Sequence, residues 1–181
     1  MSDTPNPSYS LASRLTHWAV AALVIGLLIV GFTLKFADLP RETKMALMGP
    51  HKALGVLALA LGLWRLGLRR AEGFPAPAAG VGRREARTAS LAHRAMIVLL
   101  VLIPLVGVVA SLAHGRAIDM FGLFTIPSFG EVSWLASAAG ALHGPLSLAL
   151  AVLIVLHLGA ALKHHFVDRD ATLRRMTRPT A

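Results

Sequence analysis

The stretch from Ala141 to Leu162, ALHGPLSLALAVLIVLHLGAAL, decides the fold. It is apolar over a length that crosses a bilayer, for which about 20 residues of helix are needed. Two histidines, His143 and His157, nevertheless stand inside it, fourteen residues apart. Fourteen residues is about four helical turns, so both imidazoles point the same way, about 21 Å apart along the axis. Ionisable side chains at membrane depth are costly and mark function. Neutral imidazole is above all a metal ligand, so the spacing reads as two metal sites stacked across a membrane.

Three further apolar runs extend the pattern: about Leu15 to Leu34, Met45 to Leu68 and Leu91 to Ala113. The chain has 181 residues, of which 55% are apolar and only 15% charged, a balance that belongs in a bilayer. The expected fold is an all-α membrane protein, a four-transmembrane-helix bundle forming one domain over residues 1–181. Pro50, His51 and Lys52 interrupt the second run, which reads as a short amphipathic lead-in followed by the spanning part. The first run is too long for a cleaved signal and lacks a small-residue cleavage pattern, so it is expected to remain as a helix. Gly73 to Gly82, rich in Pro, Gly and Ala, reads as an inter-helix linker. With no cysteine, thiolate metal sites, disulfides and covalent C-x-x-C-H haem attachment are excluded.

The formal charge of +9 is placed for topology and against nucleic-acid binding. Arg65, Arg69, Arg70, Arg83, Arg84, Arg87 and Arg94 surround the central linker, and Lys163, Arg169, Arg174, Arg175 and Arg178 follow the fourth run. The other two connections mix the signs, with Lys35, Arg41 and Lys44 against Asp38 and Glu42, and Arg116 against Asp119 and Glu131. The positive-inside rule then places both termini and the central linker in the cytoplasm, with anionic membrane lipid as the partner of the excess charge.

This orientation gives each histidine a height. His17 and His157 share the inner level, His51 and His143 the outer one. A b-type haem held by two opposed imidazoles takes one ligand from each of two facing helices, so two pairs at two depths imply two non-covalent haems. A lone membrane histidine is more often an interhelical hydrogen bonder, but four that pair by depth are not four accidents. His93, also at the inner level, competes with His17 as partner of His157. His114 reads as a solvated loop residue, and His164 and His165 as a polar helix end.

These residues resemble the bacterial di-haem cytochrome b561 family, which is related to the cytochrome b subunits of formate dehydrogenases and nickel–iron hydrogenases. The resemblance runs from Tyr9-Ser-Leu-Ala-Ser-Arg-Leu-Thr-His17-Trp18 through Met48-Gly-Pro-His51, Gly55 and Leu91-Ala-His93 to Pro104. It continues through His143, His157, His164 and His165 into Leu173-Arg-Arg-Met176. It implies that His17 and His157 ligate the cytoplasmic-side haem iron and His51 and His143 the periplasmic-side one, with His93 nearby but not axial. It also implies a ubiquinone site near the inner haem to which His164 contributes. Lys163, Arg83 and Arg84 are then candidates for the quinone or propionate side, in place of the lysine-bearing central stretch that the family has and this chain lacks.

The resemblance further implies an oxidoreductase of the bacterial inner membrane, carrying electrons between a periplasmic donor and the ubiquinone pool. That donor would be a protein or a small anion such as superoxide, drawn by Lys35, Arg41, Lys44, Lys52 and Arg116. Two other readings compete. The chain could be the haem-bearing anchor of a larger respiratory dehydrogenase, docking through the segment from His114 to Trp134. It could instead be a proton or metal transporter with a histidine chain, although such pathways also recruit intramembrane carboxylates and the four runs hold none.

Overall fold

The computed structural model describes residues 9–77 and 80–178, so the ends of the 1–181 domain and two positions of the Gly73 to Gly82 linker lie outside the described residues. Four long helices make the bundle: α1 (Leu11–Phe36), α2 (Arg41–Glu72), α3 (Arg83–Ala113) and α4 (Ser133–Phe166). All four are long and apolar enough to cross a membrane. Each overruns the apolar stretch that announced it. Hydropathy marks the part that needs lipid, whereas the backbone keeps its hydrogen bonds by staying helical into the polar interface.

The overruns alter two expectations. α2 passes through Pro50 as one continuous helix, with no separate lead-in. Arg83, Arg84 and Arg87 lie in the first turns of α3, not in a loop, because the helix starts directly after Gly82. Glu42, Glu72 and Glu85 fall at helix ends outside the four apolar runs, which hold no carboxylate. Between α3 and α4 the chain forms a small antiparallel hairpin, β1 (Ile118–Asp119) with β2 (Thr125–Ile126). A short helix, α5 (Arg174–Thr177), closes the described chain.

α2 packs against α1 and α3, and α3 against α4. The shared core is thin: Val20, Val24, Ile103 and Leu150, with Leu28, Leu61 and Met96 packed around them. Ile29, Val98, Val155 and many other large apolar side chains face outward, as they should where lipid is the solvent. Close approach is bought by small residues. A Cβ on Gly62 of α2 would lie 2.7 Å from the Leu100 carbonyl oxygen of α3. Pro104, four residues on, has no N–H to give that carbonyl.

The end where the start of α1, the α2–α3 linker and the C-terminal segment meet, expected to be the inner one, is tied by polar contacts. Ser10 caps α1, its hydroxyl accepting from the Ser13 N–H at 3.1 Å. Arg69 is buried and donates to the Ser13 hydroxyl, to Glu72 at 2.8 Å and to the Gly73 carbonyl at 2.7 Å. Tyr9 and Phe74 lie against the same guanidinium. Burial pushes the Tyr9 hydroxyl above its ordinary range, against the pull of Arg69, Arg65 and Arg175. The C-terminal segment returns across this end: Trp18 donates to the Met176 carbonyl at 3.0 Å and Arg175 to that of Ala76 at 2.7 Å.

Candidate metal centre

At the outer level α2 supplies His51 and α4 supplies His143, with ring centres 6.3 Å apart and planes at 84°. They line a cavity of about 500 Å³ that Gly31, Gly55, Gly140 and Gly144 keep open. The His143 Nδ1–H donates to the Ile103 carbonyl at 3.0 Å, which fixes the tautomer and leaves Nε2 free to ligate. His51 has a buried Nδ1 with no partner among the described residues. Gly107 is required here, since a Cβ would meet His143 Cε1 at 2.9 Å and Nδ1 at 3.0 Å. Lys35, Lys52 and Arg116 also line the cavity and offer positive charge to a carboxylate-bearing group. His114, expected as a solvated loop residue, reaches this lining too, its Nδ1 2.7 Å from the Ala110 carbonyl.

At the inner level α1 supplies His17 and α4 supplies His157, again with ring centres 6.3 Å apart and planes at 66°. His93 of α3 approaches His157 more closely, at 5.2 Å. The two rings meet edge to face, at 72°, and His93 stacks on Phe74 at 6.0 Å and 11°.

These distances discriminate between the pairings. A first-row metal lies about 2.0–2.1 Å from an imidazole nitrogen, and about 1.1 Å more reaches each ring centre, so two imidazoles on opposite sides of one ion are centred about 6.3 Å apart. Both expected pairs have that spacing. His93 and His157 are about 1 Å too close to hold one ion between them on the same measure. A flat bis-imidazole cofactor therefore fits the outer site by ligand spacing, by the glycine-lined cavity and by its cations. It fits the inner site by ligand spacing.

Beyond the inner pair, His164 stands two turns further along α4. The surroundings expected to be basic are acidic. Its Nδ1 lies 2.7 Å from Asp170 Oδ2 and 3.3 Å from Asp168 Oδ2, and its Nε2 lies 3.5 Å from Glu85 Oε1. Lys163 bridges Asp168 at 2.6 Å and Glu85 at 3.5 Å. Arg83 and Arg84 are exposed, and Glu85 is the residue of that turn that reaches His164. Burial opposes ionisation of Asp170, but the Thr172 N–H and hydroxyl together with His164 outweigh it and hold the carboxyl below its usual range. Glu85, Asp170, Phe74 and Gly107 had no place in the sequence reading. Only Asp170, two residues before Thr172 in a turn-forming pattern, carried a local signal.

A family model described as prokaryotic cytochrome b561 matches residues 8–179. Cytochrome b561 homolog 2 of Escherichia coli K12 is 34% identical over 181 residues, covering 97% of this chain and 95% of that protein. Cytochrome b562 of Cereibacter sphaeroides is 30% identical over 183 residues, covering 97% and 99%. Cytochrome b561 homolog 1 of Escherichia coli K12 is 25% identical over 174 residues, covering 93% and 96%.

Proposed function

The chain belongs to the prokaryotic cytochrome b561 family, multi-pass membrane b-type cytochromes that transfer electrons, and from that premise we propose that it carries electrons through two haems from a periplasmic donor to ubiquinone at the cytoplasmic face of the bacterial inner membrane. The observation that carries this reading is the pair of 6.3 Å histidine couples, one at each level of the bundle.

His51 and His143 would hold the outer haem, and His17 and His157 the inner one. Each bound haem supplies a one-electron couple. The protein's part is to fix ligand tautomers, exclude water and place charge. The Ile103 carbonyl orients His143, while Lys35, Lys52 and Arg116, which line the cavity, would pair with propionates or draw in a small anionic donor such as superoxide. His93, stacked on Phe74 and edge-to-face with His157, packs the inner ligand without replacing it. His164, with Glu85, Asp168 and Asp170 around it, would face the inner quinone.

The test is spectroscopic. The purified protein is expected to show low-spin b-type bands with about two haems per chain. His51→Ala and His143→Ala should lose one of them, and His17→Ala and His157→Ala the other. A chain that binds one haem, or none, overturns the reading. Quinone reduction by this chain alone would separate it from a dehydrogenase anchor. The anchor reading draws on the outer hairpin region, where Phe121, Leu123, Phe124, Phe129 and Trp134 are all exposed.

A further inference from the structure

The cluster around His164 mixes three carboxylates, one ammonium and one imidazole at the inner end of α3 and α4. A divalent cation is one occupant to consider, since Glu85, His164 and Asp168 bring ligand atoms within 4.8 Å of one another. The Lys163 ammonium already supplies positive charge to two of those carboxylates, 2.6 Å from Asp168 and 3.5 Å from Glu85. Asp170 is differently placed. Its side chain and that of His164 are each only 12% exposed, and the pair is 2.7 Å apart. Its other oxygen, Oδ1, accepts from the Thr172 N–H at 2.7 Å, so the carboxylate is held at both ends.

That geometry determines what His164 can do. With Nδ1–H donating to Asp170, only the doubly protonated ring has a proton at Nε2. Nε2 makes no hydrogen bond among the described residues, its nearest acid being Glu85 at 3.5 Å. A hydrogen-bonded carboxylate behind an imidazole orients it and stabilises the imidazolium.

We propose that Asp170 is a positioning residue that makes His164 the proton donor to the reduced quinone at the inner face. The inference rests on the quinone site of the preceding section. Quinone becomes quinol by taking two electrons from the inner haem, one at a time, and two protons. At one carbonyl oxygen the His164 Nε2–H bond breaks and an O–H bond forms, the electron pair staying on Nε2. Cytoplasmic water protonates the other oxygen and restores the ring by way of Glu85, which is 44% exposed. The C-terminal segment that carries Asp170 is fastened at Trp18 and Ala76, which fixes the carboxylate relative to the bundle.

Asp170→Asn makes the distinction sharp. The Thr172 N–H keeps the amide oxygen, so the amide nitrogen faces Nδ1 and donates to it. Asp168, the other carboxylate near Nδ1 at 3.3 Å, is engaged by Lys163 at 2.6 Å, so His164 then favours a neutral ring with its proton on Nε2. That ring still hydrogen-bonds a carbonyl but does not give the proton up. The expected result is electron transfer to a soluble ubiquinone analogue slowed about tenfold or more, with equilibrium affinity for the analogue changed by less than about threefold.

Both haem spectra should stay intact, and His164→Ala/Asp170→Asn should be no slower than His164→Ala. Asp170→Ser, whose hydroxyl can still serve Thr172, is the second variant and should show the same split should the amide not assemble. Wild-type rates in the Asp170 variants beside a slow His164→Ala would overturn the proposal and leave the quinone site standing. Additive losses in the double variant would also overturn it. A wild-type rate in His164→Ala would remove the quinone site itself, and the role of Asp170 with it.

Discussion

Gly107 shows how single residues hold this site open. The His143 ring is pinned from two directions, by the Ile103 carbonyl at Nδ1 and by the α3 backbone at Gly107. A methyl group at 107 would stand 2.9 Å from Cε1, and a ring held at Nδ1 by a carbonyl cannot turn aside without losing that bond. Gly107→Ala is therefore expected to lower outer-haem occupancy while the inner haem is retained, measured as haem per chain with the two bands resolved. Gly31 is the control. Its added Cβ would meet His51 Cε1 at 3.4 Å, an ordinary contact, so Gly31→Ala should leave occupancy near that of the parent. At the inner level the same reasoning separates His93 from His17. The 5.2 Å gap leaves no room for an ion between His93 and His157. His93→Ala should keep both low-spin signals and His17→Ala should lose one. A lost axial signature in His93→Ala, retained in His17→Ala, would reverse the assignment.

Among the elements, α2 is constrained from two sides, since it touches both α1 and α3 and holds a haem-ligand candidate beside a proline. Its contact with α3 is backbone against backbone at Gly62, where an added Cβ would lie 2.7 Å from the Leu100 oxygen and 3.2 Å from its carbon. Neither atom can rotate away, so the helices must separate. Gly62→Ala should destabilise the folded protein by about 1–3 kcal/mol, read as a lower Tm in detergent. Gly67→Ala, where a Cβ meets nothing within 4 Å, should be neutral or slightly stabilising. Such contacts explain what the sequence could disclose. The existence and order of four helices were legible, because twenty-residue apolar runs have few other uses. The level of each histidine was legible because depth follows from position along a helix. Gly62 looked like any membrane glycine, and its role depends on which carbonyl of α3 lies opposite. Asp170 showed only its local turn with Thr172, since its partner His164 is six residues back on α4 and the return of the chain after Phe166 has no periodicity. The acids around His164 were missed because net charge pointed to the arginines beside them.

The molecule as a whole is a bundle whose two ends differ in charge. The start of α1, the α2–α3 linker and the C-terminal segment meet at one end, joined by the Trp18–Met176 and Arg175–Ala76 contacts. That end collects Arg65, Arg69, Arg70, Arg83, Arg84 and the arginines after α4. The hairpin end has Lys35, Lys52 and Arg116 with acids among them. Each basic residue near an anionic leaflet contributes about 1 kcal/mol, so the arginine-rich end is expected to face the cytoplasm. Under the proposed function the direction of electron flow depends on this orientation, which would place His51 and His143 toward the outer donor and His164 toward cytoplasmic protons. A chain with no cysteine permits a direct measurement. Single cysteines at Arg83, exposed at the start of α3, and at Ser128, beyond the hairpin, should react oppositely with a membrane-impermeant maleimide in intact cells. Ser128 is the better outer reporter because cysteine is nearly isosteric there, whereas Gly115 has a φ of 72° that a side chain would strain. Labelling at 128 without permeabilisation, and at 83 only after it, is the expected pattern. The reverse pattern would put the two 6.3 Å histidine couples in the opposite order across the membrane, and would require the donor to meet His17 and His157 first.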